Sequence, residues 1–223
     1  MTGYYTRNEK VLVGGQRYRL RVLSNKRQFA DPGRLGLRLG ISSAQWSLFG
    51  QVWPSGRLLA QAMHRFEITD KRILELGCGI GLASLVLQRR GANVIASDIH
   101  PLADALLAYN AALNALPAVR YERLSWNLPQ PDLGHFDLII ASDVLHERDQ
   151  PLLLASVIER HAAPAAEVMV TDPGRGHRVQ FSHLLAAQGF DLIEECCPMD
   201  DRDTPPYRGR LLHYFRTERR TPT

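Results

Sequence analysis

The chain has 223 residues, 45% of them hydrophobic and 22% charged, which suits one packed core with a small elaboration and excludes a disordered chain, a fibrous repeat and two full catalytic domains. No apolar run approaches the roughly 20 residues of a membrane helix, and the first ten residues carry no apolar signal core, so a cytoplasmic protein is expected. The net charge of +4 divides unevenly: residues 1–50 hold nine Lys or Arg against two acids (+7), and the rest hold eighteen against twenty-one (−3), so a basic N-terminal lobe can steer an acidic protein or a nucleic acid, or simply be solvated.

Val11-Leu12-Val13, the Gly14-Gly15 pair, and the alternation of Tyr18, Leu20 and Val22 with Arg17, Arg19 and Arg21 predict a β-hairpin with one apolar and one arginine-bearing face. Residues 24–50 are rich in Gly, Ser and Arg without a strong period and read as irregular chain or short strands. From Pro54 onward Leu58, Leu59, Ala62 and Met63 stand at helical spacing. Strands are then predicted over 71–76, 93–97, 119–124, 136–141, 167–171, 190–195 and 211–216. Helices are predicted over 82–90, 101–116, 151–161 and 178–188.

This alternation implies right-handed crossovers and an α/β fold: a Rossmann-like, doubly wound, mostly parallel seven-stranded sheet. The last two strands lack a helix between them, which predicts an antiparallel hairpin at one edge. Residues 1–52 read as a basic hairpin extension and 53–223 as the main domain.

Glu75-Leu76-Gly77-Cys78-Gly79-Ile80-Gly81 lies directly between a strand and a helix. Glycines there let the backbone turn sharply and approach a ligand, and the amides of the following helix start favour an anionic group. Twenty-one residues after Gly77, where the second strand ends, Asp98 precedes Ile99; a carboxylate at that depth accepts hydrogen bonds from ribose hydroxyls. A dinucleotide loop requires G-x-G-x-x-G, but position 82 is Leu, the glycines run 77, 79 and 81, and an acid stands two residues ahead of them. The pattern selects S-adenosylmethionine over a nicotinamide or flavin.

Four blocks together carry a resemblance: Val52-Trp53-Pro54-Ser55-Gly56, the run from Leu74 through the glycine loop, Leu124-Ser125-Trp126-Asn127, and the run from Phe136 through Ile140-Ala141-Ser142-Asp143-Val144-Leu145-His146. From about Trp53 onward the chain resembles the class I, seven-strand methyltransferases that modify protein lysine side chains (methyltransferase family 16). The resemblance implies S-adenosylmethionine as cofactor and a protein as methyl acceptor; the basic lobe, read from the charge, suits an acceptor with an acidic surface. It places Trp53 near the cofactor's methionine end, the loop of Glu75, Gly77, Cys78, Gly79 and Gly81 beneath it, Asp98 and Ile99 at the ribose, and Ser125 and Trp126 beside the adenine. A core plug with one satisfied N–H is the bland alternative for Trp126, and the adenine pocket is preferred. Methylation of a small molecule or nucleic acid, and a non-catalytic binding module, are the alternatives.

Open α/β sheets bind what they act on beyond the carboxyl ends of their strands, which here means Ser142, Asp143 and the residues up to His146. The family usually shows Asp-x-x-Tyr at this place; His146 departs from it, which weakens the assignment of the acceptor rather than of the cofactor. A lysine ammonium has no lone pair, and holding it neutral at pH 7.4 costs roughly 4 kcal/mol from an unperturbed pKa near 10.4. Asp143 is the candidate that orients the amine and His146 the candidate that takes its proton; a strand-end cap and a solvated imidazole are their bland readings. Arg175, in a Pro173-Gly174 turn, is a candidate for meeting an acidic substrate.

The cysteines form neither a disulfide framework nor a metal-ligand spacing, the histidines show no metal spacing with acids, and no metal is expected. Cys78 reads as a packing residue, and Asn110 and Asn114 as surface or capping residues. Asp203-Thr204-Pro205-Pro206-Tyr207 resembles an amine-gripping motif of nucleic-acid methyltransferases, but that motif belongs at the fourth strand. It reads here as a loop before the last strand.

Overall fold

The computed structural model describes residues 4–24, 34–128, 131–199 and 207–217. Strands β1 (Thr6–Val13) and β2 (Gln16–Leu23) form the expected antiparallel hairpin. Gly14 and Gly15 both take positive φ, +54° and +80°, the geometry of a two-residue turn that matches strand twist. Val11, Val13, Tyr18, Leu20 and Val22 are buried, whereas Lys10, Arg17 and Arg19 are exposed. Each of those side chains contributes on the order of 1.5–3 kcal/mol by burial. The N-terminal extension thus shares the main core and does not sit apart from it.

Residues 34–51 form short helices, α1 (Leu35–Arg38) and α2 (Ser43–Leu48), where irregular chain or short strands were expected. The physical reason is local. The Ser42 side chain accepts from the Gln45 N–H at 3.1 Å, and the Gln45 side chain accepts from the Ser42 N–H at 3.2 Å, a capping box that closes the first turn of α2.

Helix α3 (Pro54–Arg65) leads into β3 (Arg72–Leu76), then α4 (Leu82–Arg89), β4 (Asn93–Asp98), α5 (Ala103–Leu113) and β5 (Arg120–Arg123). The second half runs β6 (Phe136–Ser142), α6 (Gln150–His161), β7 (Ala162–Asp172), α7 (Arg178–Ala187), β8 (Asp191–Met199) and β9 (Tyr207–Arg216). Helix α5 is shorter than the expected 101–116 because Pro101 lies in the turn before it. The seven-stranded sheet has the order β5-β4-β3-β6-β7-β9-β8. Strands β3 to β7 pair in parallel, and β9 is antiparallel to both β7 and β8. The last strand therefore inserts between its two neighbours and leaves β8 as the edge.

Successive residues of β3 serve opposite faces: Ile73 joins a core with α3, α4, α5 and the hairpin, while Leu74 and Leu76 join one with α6 and α7. Asn110 and Asn114, read from the sequence as surface or capping residues, instead dock the hairpin on α5. Asn114 accepts from Arg19 N–H at 2.8 Å and donates to Arg19 C=O at 2.7 Å. Asn110 is fully buried; it accepts from Arg21 N–H at 2.7 Å and donates to Ile80 C=O at 3.0 Å. Two side-chain amides one helical turn apart thus replace the missing neighbour of an edge strand.

Candidate active site

The parallel strands end around a cavity of about 230 Å³, where crossovers of an open sheet leave a crevice. Its floor is the glycine loop after β3. The Cys78 N–H donates to Ser97 C=O at 2.9 Å and the Gly81 N–H to Cys78 C=O at 2.8 Å. Gly81 has φ +83°, and a Cβ there would lie 2.2 Å from Leu107 Cδ1, so this glycine lets α4 start against α5. Gly81 itself does not line the cavity; Trp53, Glu75, Gly77, Cys78, Gly79, Asp98, Ile99, Ser125, Trp126, Ser142, Asp143 and His146 all do.

Asp98 ties the loop to β4. Its Oδ2 accepts from Gly79 N–H and its Oδ1 from His100 N–H, each at 2.8 Å. Burial raises its pKa, and the amide bonds oppose that rise. Such a carboxylate gains from further hydroxyl donors on its cavity side. Glu75 lies deeper, accepting from Ser84 N–H at 3.0 Å and from the Ser84 hydroxyl. Burial pushes its pKa up to about 7. Burial likewise raises the Cys78 thiol well above its ordinary value, which suits a packing residue better than a nucleophile.

Around this floor, the Trp53 indole donates to Leu48 C=O at 2.8 Å and so faces the cavity from the start of α3. Gly77 lies between Val144 and Trp126, 3.1 and 3.9 Å from where its Cβ would stand. Ser125 donates to Asn127 Oδ1 at 2.6 Å. Apolar Ile41, Leu48, Phe49, Ile80 and Val144 complete a wall with room for a nucleoside beside its polar groups.

At the far end, Asp143 follows β6 with φ +54°, its N–H donating to Thr171 C=O at 2.8 Å. Its side chain is 11% exposed, and both carboxylate oxygens are held by Arg175, through Nε at 2.6 Å and Nη2 at 3.1 Å. Arg175, expected to meet a substrate, is thus engaged within the chain. His146 is fixed by Gln150, whose Oε1 accepts from the His146 and Glu147 N–H groups at 2.7 and 2.8 Å. The Gln150 amide N–H therefore points at His146 Nε2, 3.2 Å away, and His146 Nδ1–H donates to Asp143 C=O at 3.1 Å.

Sequence reasoning missed the cover of the cavity. Helix α2 lies between two of its rims: Ser42 and Gln45 donate to Glu147, the latter at 3.0 Å, and Phe49 stacks on His100 at 3.6 Å with Trp46 at 4.4 Å. The capping box was the signal that could have found this helix. Asp203 to Pro206 of the decoy motif lie outside the described residues; Tyr207 bonds Ser55 at 2.7 Å. Among the described residues no His, Cys, Asp or Glu cluster is arranged to hold a metal ion.

The strand order with an inserted antiparallel β9, the glycine loop and the acid at the end of β4 define the Rossmann-like fold of class I methyltransferases. A family model described as lysine methyltransferase matches residues 36–185, and the chain belongs to that family. It is 28% identical over 162 residues to the electron transfer flavoprotein beta subunit lysine methyltransferase of Mus musculus, covering 70% of this chain and 60% of that protein. It is 32% identical over 142 residues to the histone-arginine methyltransferase METTL23 of Xenopus laevis, covering 59% of each. The chain thus spans about 60% of the length of these curated relatives. The solved structure of the T. thermophilus 16S rRNA N2 G1207 methyltransferase (RsmC), in complex with AdoMet and guanosine, superposes with a TM-score of 0.65 at 18% identity, covering 95% of this chain and 51% of that one. At that identity the likeness is one of fold.

Proposed function

We propose that this chain is an S-adenosylmethionine-dependent methyltransferase whose acceptor is a lysine side chain of a protein. The observation that carries the reading is the continuity of one cavity from the Asp98-pinned glycine loop to Asp143. When bound, S-adenosylmethionine supplies a methyl group on a positively charged sulfur. In this reading Asp98, beside Ile99, holds the ribose hydroxyls, Ser125 and Trp126 flank the adenine, and the backbone of Gly77 and Gly79 lies under the methionine part. Trp53 and Ser142 close that end. Glu75, whose carboxyl burial holds near neutrality, faces the cofactor's ammonium from below, and Cys78 and Gly81 shape the loop.

Asp143 orients the acceptor nitrogen by accepting its N–H. We assign His146 to holding the Asp143 loop rather than to taking the proton, because its Nε2 already accepts from Gln150. Much of the rate then comes from alignment in a site that α2 shields from water.

The acceptor's surface is assigned an acidic character, and here the hairpin supplies the support. Lys10 and Arg19 are direct cross-strand partners, and Arg17 stands opposite exposed Leu12. Like charges placed opposite each other destabilise a strand pair, a cost that an anionic partner offsets. Arg21 covers the Tyr109 ring at 3.7 Å, which leaves that aromatic face unavailable for stacking a base and favours a protein over single-stranded nucleic acid. No described helix is long and apolar enough to cross a membrane. A cytoplasmic, reducing location agrees with free Cys78, Cys196 and Cys197.

The test is transfer of tritiated methyl from S-adenosylmethionine into a lysate of cells lacking this chain. Label enters protein bands and, after hydrolysis, methyllysine; Asp143→Ala abolishes it while cofactor binding persists. Label in RNA alone, or in methylarginine, overturns the acceptor assignment.

A further inference from the structure

The pair between Asp143 and Arg175 is unusual for a carboxylate meant to receive a cation. Both oxygens of Asp143 are taken by the guanidinium fork, at 2.6 and 3.1 Å, and the carboxylate is nearly enclosed. The loop that presents Arg175 is itself built for the purpose. Asp172, fully buried at the end of β7, accepts the Gly174 and Arg175 N–H groups at 2.9 and 3.1 Å through one oxygen, while its other oxygen has no partner among the described residues. Thus a second carboxyl group stands behind the first, and burial, together with the Asp143 charge, raises its pKa.

Around the pair the remaining titratable groups among the described residues are Tyr207 at the start of β9, His146 beyond β6, and Arg178 on α7, which is bound to Glu194. The bond to Asp143 strengthens the charged form of Arg175, so the guanidinium is a permanent positive charge here.

An end of the cavity lined by an unpaired Asp143 would hold a lysine as ammonium, the form that cannot react. With Arg175 in place Asp143 is neutralised as a charge, yet each carboxylate oxygen keeps a lone pair beyond the one given to the fork. We propose that Arg175 is a positioning residue that sets the protonation state of the acceptor: it lets Asp143 orient a neutral amine as a hydrogen-bond acceptor while removing the attraction that would keep the amine protonated. The amine's proton leaves to solvent; the freed nitrogen lone pair would then form the new bond to the methyl carbon as the carbon–sulfur bond breaks, its electron pair staying on the sulfur, which departs as a neutral thioether. This rests on the lysine reading of the acceptor given above.

A neighbouring charge within 4–6 Å moves a pKa by about 1–3 units. In Arg175→Gln, which keeps a hydrogen-bond donor but loses the charge, the acceptor's pKa rises and the acid limb of the rate moves up by at least about one pH unit.

The experiment measures tritiated methyl transfer into proteins of a lysate lacking this chain, from pH 6.5 to 9.5, for the wild type, Arg175→Gln and Arg175→Lys. Arg175→Gln is expected to lose about tenfold at pH 7 and to return to within about twofold at pH 9.5, as lysine side chains approach their own pKa near 10.4. Arg175→Lys, which restores the charge, follows the wild-type profile, and all three bind S-adenosylhomocysteine equally by calorimetry. A loss that is the same at every pH, no loss at any pH, or weakened S-adenosylhomocysteine binding in Arg175→Gln overturns the proposal. A wild-type protein that binds S-adenosylhomocysteine yet labels no protein overturns the lysine reading itself and this inference with it.

Discussion

Replacing Asn110 by alanine removes one side chain that serves two segments 59 positions apart in sequence, Arg21 of the hairpin and Ile80 of the glycine loop. The Ile80 carbonyl and the Arg21 amide lose their partners in a buried setting, at about 1–3 kcal/mol for each unsatisfied group. Partial relaxation of the hairpin leaves a net cost of about 3 kcal/mol. In a domain of this size 1 kcal/mol shifts Tm by about 2–4 °C, so a fall of about 6–12 °C is expected. Asn114→Ala is the control. It removes two bonds to Arg19 at a solvent-accessible edge, where water replaces them, and a third to the Asn110 C=O within α5, and about 1 kcal/mol is lost.

The two variants separate again in ligand binding, because Ile80 belongs to the loop and Arg19 does not. Calorimetric titration with S-adenosylhomocysteine should show about tenfold weaker binding in Asn110→Ala, equivalent to about 1.4 kcal/mol, and no change in Asn114→Ala. Equal, small shifts of Tm in both variants would refute the reasoning that buried Asn110 couples the hairpin to the cofactor loop.

Further outcomes follow from single features. Glu75 has a folded pKa of about 7 against an ordinary 4.5, so its contribution to stability is complete below about pH 4.5 and is lost as pH rises through 7; Glu75→Gln should flatten that decline, by about 3 kcal/mol in the apoprotein, and melting curves that keep the wild-type pH dependence would contradict it. Gly81→Ala must place a Cβ 2.2 Å from Leu107 Cδ1 at φ +83°, which costs about 2–5 kcal/mol from backbone strain and overpacking; a Tm within 1–2 °C of the wild type, under about 1 kcal/mol, would count against this role. The triple variant Lys10→Glu, Arg17→Glu, Arg19→Glu should keep its Tm and S-adenosylhomocysteine affinity, while label transfer to lysate protein falls most at low salt. Unchanged transfer at low salt would remove the hairpin from acceptor recognition.

The elements were legible wherever their cause is local. The period of the chain gives the parallel strands and their helices, and the Gly14-Gly15 pair gives the hairpin with its register. The insertion of β9 between β7 and β8 was not legible, since an antiparallel closing pair is compatible with either strand at the edge. The same division holds for the candidate site. The glycine loop is one contiguous segment and Asp98 follows it at a spacing set by one βαβ unit, so both could be read. Arg175 reaches Asp143 across 32 residues and Asn110 reaches Arg21 across 89, and nothing in either local sequence announces the partner. Helix α2 was missed although its capping box was present, because a six-residue helix offers too few positions for a period to show.

The most direct measurement is calorimetric titration of the folded protein with S-adenosylhomocysteine, alongside Asp98→Ala. Binding at one site per chain, weakened at least about tenfold in the variant, is what a ribose held by Asp98 above a glycine floor predicts. A folded wild-type protein that gives no binding heat at several temperatures, or an Asp98→Ala protein that binds as tightly as the wild type, would contradict it.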